Sequence, residues 1–150
     1  MPDRDARARL PGAWLLVSWQ VFSEGQPEPA EPFGPNPKGL LQYTEDGWMN
    51  ASICNADRPG LPGGTSPRKM PAEVLADAWR SYFNYAGRWR IEDDCVIHNV
   101  SLSLNPNMVG TEQIRRMRFT ESTLTLTGIE NVGQQQRRHV LLWQRALPQE

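Results

Sequence analysis

The sequence has few of the residues that usually hold metals or cross-links, with two cysteines and two histidines among its 150 residues. Cys54 and Cys95 have neither the CxxC spacing of a metal site nor the density of a secreted disulfide framework, so we expect reduced thiols. His98 and His139 form no close pair with each other or with a cysteine, which predicts no metal site. No cofactor is predicted, because dinucleotide fingerprints, phosphate-binding glycine loops and G-x-S-x-G elbows are all missing.

The sequence also lacks a dominant charge and a long apolar run. Its 16 Lys and Arg residues against 17 Asp and Glu residues give a net charge of −1, which does not favour a nucleic-acid partner. No segment approaches the roughly 18 apolar residues of a membrane-spanning helix, and the N-terminus has no signal-peptide core. We therefore expect a cytoplasmic protein without a nucleic-acid partner and without membrane insertion. A homodimer is left open.

Turn-forming residues and tryptophan are plentiful, with 13 Pro, 12 Gly and 6 Trp. The length predicts one domain. Five prolines between residues 23 and 38 predict a long loop, which has room to act as a rim or lid. The Asp46-Gly47 pair predicts a hairpin turn. Apolar spacings of three and four after Pro71 predict a helix over residues 72–85.

Short segments rich in β-branched and aromatic residues account for most of the remaining chain. The predicted strands cover residues 12–22, 39–44, 48–54, 88–91, 96–104, 113–119, 123–127 and 138–145. Eight strands with turns between them favour an antiparallel barrel or sandwich. A closed barrel of eight strands has an interior that can hold one small ligand.

The alternation of apolar and polar residues predicts which side chains face the interior. In residues 96–104 the even positions are apolar except for His98, so this face, including Leu102, is predicted to be buried. By unbroken alternation Trp19 faces away from Trp14, and it is expected to lie under the proline-rich loop. The residues predicted to point inward from the two following strands are Gln113, Arg115, Met117, Phe119, Leu124 and Leu126.

Six short motifs follow one another along the chain: GAW at residues 12–14, LVSW at 16–19, NPKG at 36–39, LxYTxDG at 41–47, YAGR at 85–88 and PNMVGTEQIRR at 106–116. This series resembles the bacterial and fungal lipocalin-like domain family of the calycin superfamily. The resemblance implies an all-β, eight-stranded up-and-down barrel over residues 10–146, with one helix between the third and fourth strands. Residues 1–9 are then a disordered or loosely packed N-terminus, and 147–150 a C-terminal tail.

The resemblance also implies a structural signature and a range of functions. Gly12 and Trp14 match the Gly-x-Trp signature, and Arg145 is positioned to pack over Trp14. Calycins mostly bind small apolar molecules in the barrel, whereas some lipocalin-like proteins are cofactor-independent isomerases, cyclases or lyases. Fold alone does not choose between these functions.

The residues offer their own candidates for chemistry. A buried guanidinium needs an anionic or strongly polar partner, which either the chain or a ligand must supply to Arg115. In a regular strand Glu112 points the other way, and Asp93 and Asp94 lie in a turn, so a ligand carboxylate is one explanation. An interior imidazole, phenol and guanidinium suit proton transfer beside a carbonyl, with His98 as base and Arg115 or Tyr43 stabilising an enolate oxygen. The same trio suits passive recognition of a carboxylate or ketone. Further candidate ligand-binding residues are Gln113, Asn50, Trp89, Trp79, Tyr82 and Met117.

Three functions therefore remain open. The first is binding or carriage of a small, mostly apolar molecule that bears a carbonyl or carboxylate. The second is acid–base isomerase, cyclase or lyase activity on such a molecule in a secondary-metabolite or catabolic pathway. The third is a structural or oligomerisation module whose barrel is filled by its own side chains.

Overall fold

A computed structural model describes residues 5–61, 63 and 66–149, and these form a closed antiparallel barrel in which each strand pairs with the next and the last pairs with the first. The strands are β1 (Gly12–Ser23), β2 (Lys38–Tyr43), β3 (Trp48–Cys54), β4 (Tyr82–Glu92), β5 (Cys95–Ser103), β6 (Glu112–Phe119), β7 (Thr123–Val132) and β8 (Gln135–Arg145). The helices are α1 (Ala6–Arg9) and α2 (Ala72–Arg80), with 3-10 turns at Pro67–Lys69 and Pro106–Met108. The predicted eight-stranded up-and-down barrel is confirmed.

The predicted helix over residues 72–85 is too long at its C-terminal end. Helix α2 ends at Arg80, and the aromatic residues after it belong to β4, where Phe83 pairs with Ile53 and Tyr85 pairs with Ala51. Pairing along β3 satisfies the backbone and buries the Tyr85 ring, which one more helical turn on the barrel surface would not do. Trp79 stays on α2 and is 50% exposed.

One end of the barrel is closed by Trp14 and Arg145. The Trp14 indole is buried and donates through Nε1 to the Leu10 carbonyl at 3.0 Å. The Arg145 guanidinium lies 3.7 Å from the centre of the Trp14 ring and donates to the Pro11 carbonyl at 3.0 Å. Gly12 has a φ of +119°, and a Cβ there would lie 2.7 Å from Nη1 of Arg145, so glycine is required beneath the guanidinium.

Helix α1 packs beside this closed end. Ala6 and Leu10 are buried in the same apolar cluster as Trp14. The expectation of a loosely packed N-terminus falls partly on residues 1–4, which lie outside the described residues, as does residue 150 of the predicted tail. Within the described part, residues 6–9 are helical.

Two bulges change which side chains face the interior. Leu16 pairs with Trp143 and Ser18 with Leu142, so Val17 is an extra residue in β1. The prediction that Trp19 faces away from the interior is wrong, because this bulge reverses the alternation after Leu16.

The second bulge lies between β4 and β5. Ala86 pairs with Leu102 and Gly87 with Val100, so the alternation of β5 breaks after Val100. Leu102 is 67% exposed, and its predicted burial is wrong for this reason. A Cβ on Gly87 would lie 1.9 Å from the Asn99 carbonyl oxygen, so the close approach of the two backbones at the bulge requires glycine.

The proline-rich segment between β1 and β2 covers the other end of the barrel. Ala30 exchanges backbone hydrogen bonds with Val21, which holds the middle of the segment against β1. The buried Phe33 ring then meets Trp19 edge to face, with ring centres 5.1 Å apart.

Candidate functional site

The interior contains a cavity of about 60 Å³. This volume holds a few water-sized groups, and it is small because aromatic side chains fill most of the barrel. Aliphatic and aromatic residues form most of its wall, with four polar side chains among them. The lining residues are Trp19, Leu41, Ala51, Ile53, Phe83, Tyr85, His98, Arg115, Leu126, His139, Leu141 and Trp143.

His98 lies at the centre of a buried chain of hydrogen bonds. Its strand position on β5 points inward, as the alternation predicts, and it is 2% exposed. The Tyr43 hydroxyl is 2.6 Å from Nε2, and the Tyr85 hydroxyl is 2.6 Å from Nδ1. Burial, aided by the positive charge of Arg115, lowers the pKa of His98 from 6.5 to about 3. The imidazole is therefore neutral at physiological pH.

A neutral imidazole has one N–H donor and one acceptor, so the chain has a direction. The Tyr43 hydroxyl has His98 as its hydrogen-bond partner and no second one among the described residues. The Tyr85 hydroxyl likewise has His98 as its one hydrogen-bond partner among these residues, so one tyrosine donates to the ring and the other accepts the ring hydrogen. In the tautomer with the ring hydrogen on Nδ1, the hydroxyl hydrogen of Tyr85 is available to a group in the cavity, which Tyr85 lines.

Both tyrosines keep their protons. Burial raises the pKa of Tyr43 well above its ordinary value, and the neighbouring Tyr85 raises it further, while the positive charge of Arg115 opposes the shift. Burial likewise raises the pKa of Tyr85 against the opposing effect of Arg115. The Tyr43–His98–Tyr85 chain is thus an uncharged donor system beside a permanent cation.

Arg115 is that cation, and no carboxylate in the described part of the chain forms an ion pair with it. Its guanidinium donates to the Ile114 carbonyl at 3.0 Å and to the Gln113 side-chain oxygen at 3.4 Å. The side chain passes over Gly128, where a Cβ would lie 2.5 Å from Nη1. Glycine at this position gives the guanidinium its place in the barrel wall.

The other polar groups of the cavity are also rich in donors. The Trp19 indole donates to Nδ1 of His139 at 3.1 Å, and Nε2 of His139 is 3.2 Å from a Glu130 carboxylate oxygen. The Trp143 indole is 2% exposed, and its N–H has no hydrogen-bond partner among the described residues. Unsatisfied buried donors are uncommon in folded proteins, and a bound acceptor would satisfy this one.

Of the three candidate catalytic residues, His98 and Arg115 line the cavity, whereas Tyr43 lies behind His98. Gln113 is next to Arg115 and also donates to the Thr111 hydroxyl at 2.9 Å. Met117 points inward as the alternation predicts, but it packs into the core cluster and does not line the cavity.

The other four candidate ligand-binding residues lie elsewhere. Asn50 is exposed on the outer face of β3, because Met49 and Ala51 take the inward positions, and it accepts a hydrogen bond from Asn84. The Trp89 ring is buried but packs on Tyr43 and donates to the Thr44 carbonyl, away from the cavity.

Trp79 and Tyr82 are outside the barrel wall as well. Trp79 is half exposed on α2, since this helix lies on the barrel surface. Tyr82 is the first residue of β4, and the centre of its ring lies 5.1 Å from the Arg58 guanidinium. Neither side chain lines the cavity.

Four cavity residues with a hydrogen-bonding side chain were not among the sequence candidates: Trp19, Tyr85, His139 and Trp143. The sequence contains a signal that Tyr85 faces the interior, because it shares the alternation of Gly87 and Trp89. The predicted helix over residues 72–85 includes Tyr85 and conceals this signal. Trp19 had none, because the bulge at Val17 leaves no mark on the local pattern.

Comparison with known proteins agrees with the fold. Residues 11–146 match a family model described as a lipocalin-like domain. No curated protein matches the chain. In the described part of the chain, no helix is both long enough and apolar enough to cross a membrane, and no cluster of His, Cys, Asp and Glu has the makings of a metal site.

Proposed function

The chain belongs to the lipocalin-like domain family, and from this fold and its cavity we propose that the protein binds a small, mostly apolar molecule bearing a carboxylate or a carbonyl. The fold suggests small-molecule binding in general. The more specific proposal rests on one observation. The residues that line the cavity include hydrogen-bond donors and a cation, but no acidic residue that could pair with them.

Arg115 and Trp143 are the strongest support. The Arg115 guanidinium is half-buried at the cavity wall and forms no ion pair with a carboxylate among the described residues, so its charge is available to an anionic ligand. The indole N–H of Trp143 is a second buried donor that has no hydrogen-bond partner among the described residues. An oxygen acceptor from a ligand would satisfy the Arg115 guanidinium, and the Tyr85 hydroxyl is a further donor when its hydrogen is not given to His98. The aliphatic wall supplied by residues such as Leu41 and Leu126 suits an apolar remainder.

Acid–base catalysis at the same site receives less support. An isomerase, cyclase or lyase needs a group that removes a proton, and His98 was the candidate base. Its pKa of about 3 makes it a very weak base, and both ring nitrogens are already hydrogen-bonded. Its geometry is that of a positioning residue, which orients the Tyr85 hydroxyl.

Two isosteric probes, butanoate and 2-pentanone, test the proposal by titration calorimetry against the whole chain. Arg115→Met is expected to weaken butanoate binding about tenfold to a hundredfold, because a charge-assisted hydrogen bond is lost. 2-Pentanone is expected to respond less. Tyr85→Phe is expected to weaken both probes by about twofold to tenfold, the value of a neutral hydrogen bond.

Matched control variants are available on the outside of the barrel. Arg88→Met removes a strand arginine that stacks on the exposed Trp48, and Tyr82→Phe removes a hydroxyl from the same strand as Tyr85. Neither is expected to change either affinity. If Arg115→Met and Tyr85→Phe behave like these controls, or if neither probe binds, the proposal fails and a filled structural barrel becomes the better description.

A further inference from the structure

The barrel wall is incomplete between β6 and β7. The two strands pair over only four positions, from Phe119 opposite Leu124 to Arg116 opposite Thr127. Beyond this point residues 112–115 pair only with β5, and residues 128–132 pair only with β8. Strands β1 and β2 also pair over four positions. All the other neighbouring strands pair over five or more. A lateral gap therefore opens beside Arg115 and Gly128.

The Arg115 side chain occupies this gap. The Met117 amide donates to the Asp94 backbone carbonyl, which lies on the same side of β6 as β5. Backbone groups alternate along a strand, so the Ile114 carbonyl points to the other side, toward β7, where it has no strand partner. The Arg115 guanidinium takes the place of that partner and donates to the Ile114 carbonyl at 3.0 Å. The flexible Arg115 side chain thus closes the wall at this position, whereas between Phe119 and Arg116 backbone pairing with β7 closes it.

A large groove lies on the outer face of the barrel at the same place. Its volume is about 920 Å³, and Arg115 is the residue that lines both this groove and the interior cavity. Ile114 and Ile129, at the outer lips of the gap, are 54% and 51% exposed. Arg118 and Arg138 add positive charge to the groove, and Glu112 is its single acidic lining residue.

We propose that the gap between β6 and β7 is a side entrance, and that the ligand is an elongated carboxylate whose head binds Arg115 while its apolar chain lies in the outer groove. This inference rests on the function proposed above and extends it to a ligand class. The interior volume accommodates a head group and not a long chain, whereas the groove offers apolar lips and a surplus of positive charge for an amphiphilic anion.

A chain-length series tests the proposal with butanoate, octanoate and dodecanoate, each titrated calorimetrically below its micelle concentration. Affinity is expected to rise with chain length, by up to about fourfold for each fully buried methylene. Ile129→Glu places a negative charge at the lip of the gap and is expected to weaken dodecanoate at least about tenfold, while butanoate changes less than about twofold.

Leu15→Glu is the matched control for Ile129→Glu. Leu15 is an aliphatic strand residue of the same size as Ile129 and is also 51% exposed, but it lies outside the groove. It is expected to leave the whole series unchanged. Phe33→Ala, at the covered end of the barrel, is expected to leave the chain-length dependence unchanged as well.

The outcomes separate this inference from the proposed function. Butanoate binding that depends on Arg115, together with no gain from longer chains or no selective loss in Ile129→Glu, overturns the side entrance and leaves the proposed function standing. A selective loss of dodecanoate in Phe33→Ala would place the chain at the proline-rich segment, which also overturns it. No binding by any member of the series overturns both.

Discussion

The buried His98 makes a specific prediction about stability against pH. In the folded protein its pKa is lowered from 6.5 to about 3, because both ring nitrogens and the surrounding phenols lie out of water. Between these two values the unfolded chain binds a proton on this histidine and the folded chain does not. Acid therefore favours unfolding, and the free energy of unfolding falls as the pH drops below 6.5.

The size of the effect follows from the difference between the two values. Each pH unit in this window removes about 1.4 kcal/mol of stability, which amounts to about 2 kcal/mol at pH 5 and to about 5 kcal/mol once the pH reaches the folded value. A domain of ordinary stability has only about 5 to 15 kcal/mol in total. This one imidazole is thus expected to be a major cause of acid unfolding.

The assay compares the wild-type protein with His98→Gln, which keeps an amide donor and acceptor but does not titrate. Urea unfolding followed by tryptophan fluorescence gives the free energy of unfolding at several values between pH 7 and pH 5. His98→Gln is expected to be the less stable protein at pH 7, and its deficit is expected to shrink by about 2 kcal/mol at pH 5.

His139→Gln is the control for loss of a histidine as such. Its side chain is 21% exposed and lies at the edge of the cavity, so the variant is expected to keep the pH dependence that His98 contributes. Equal pH dependence in wild type and His98→Gln would refute the reasoning, because it would mean that His98 is not held neutral in the folded state.

Three glycine and arginine substitutions follow from close contacts. Gly128→Ala places a Cβ 2.5 Å from Nη1 of Arg115, so butanoate affinity is expected to fall about tenfold by calorimetry with unfolding changed by less than about 1 kcal/mol; unchanged affinity would contradict this. Gly87→Ala meets the Asn99 backbone at 1.9 Å and is expected to cost at least about 3 kcal/mol in urea unfolding. Arg145→Met removes a ring contact and two carbonyl hydrogen bonds, and is expected to cost about 2 kcal/mol. A cost below about 0.5 kcal/mol in either variant would contradict its prediction.

Strand identity was readable from the sequence wherever the alternation stayed regular. The inward positions of His98, Arg115 and Leu126 follow from a local pattern with a period of two residues, and the structure places them there. The hairpin around Gly47, which has a φ of +97°, was equally readable because the Asp-Gly pair suits that conformation.

The candidate site was only half readable. His98 and Arg115 could be proposed from alternation, but Tyr85 was lost in the overextended helix and Trp19 was misassigned to the outside. Both errors arose where pairing with a distant strand decided the outcome, along β3 for Tyr85 and along β8 for Trp19. A local window contains no information about that pairing.

The sequence by itself predicted eight strands and one helix, and its resemblance to the lipocalin-like family predicted the up-and-down barrel and the Gly12, Trp14 and Arg145 signature. Tertiary structure alone decided the two bulges, the joining of Tyr43 and Tyr85 through His98, and the gap that Arg115 fills. The physical reason is that hydrophobic periodicity is a property of neighbouring residues. Register, hydrogen-bond partners and the end of a strand ladder depend on contacts between residues that are far apart in the chain.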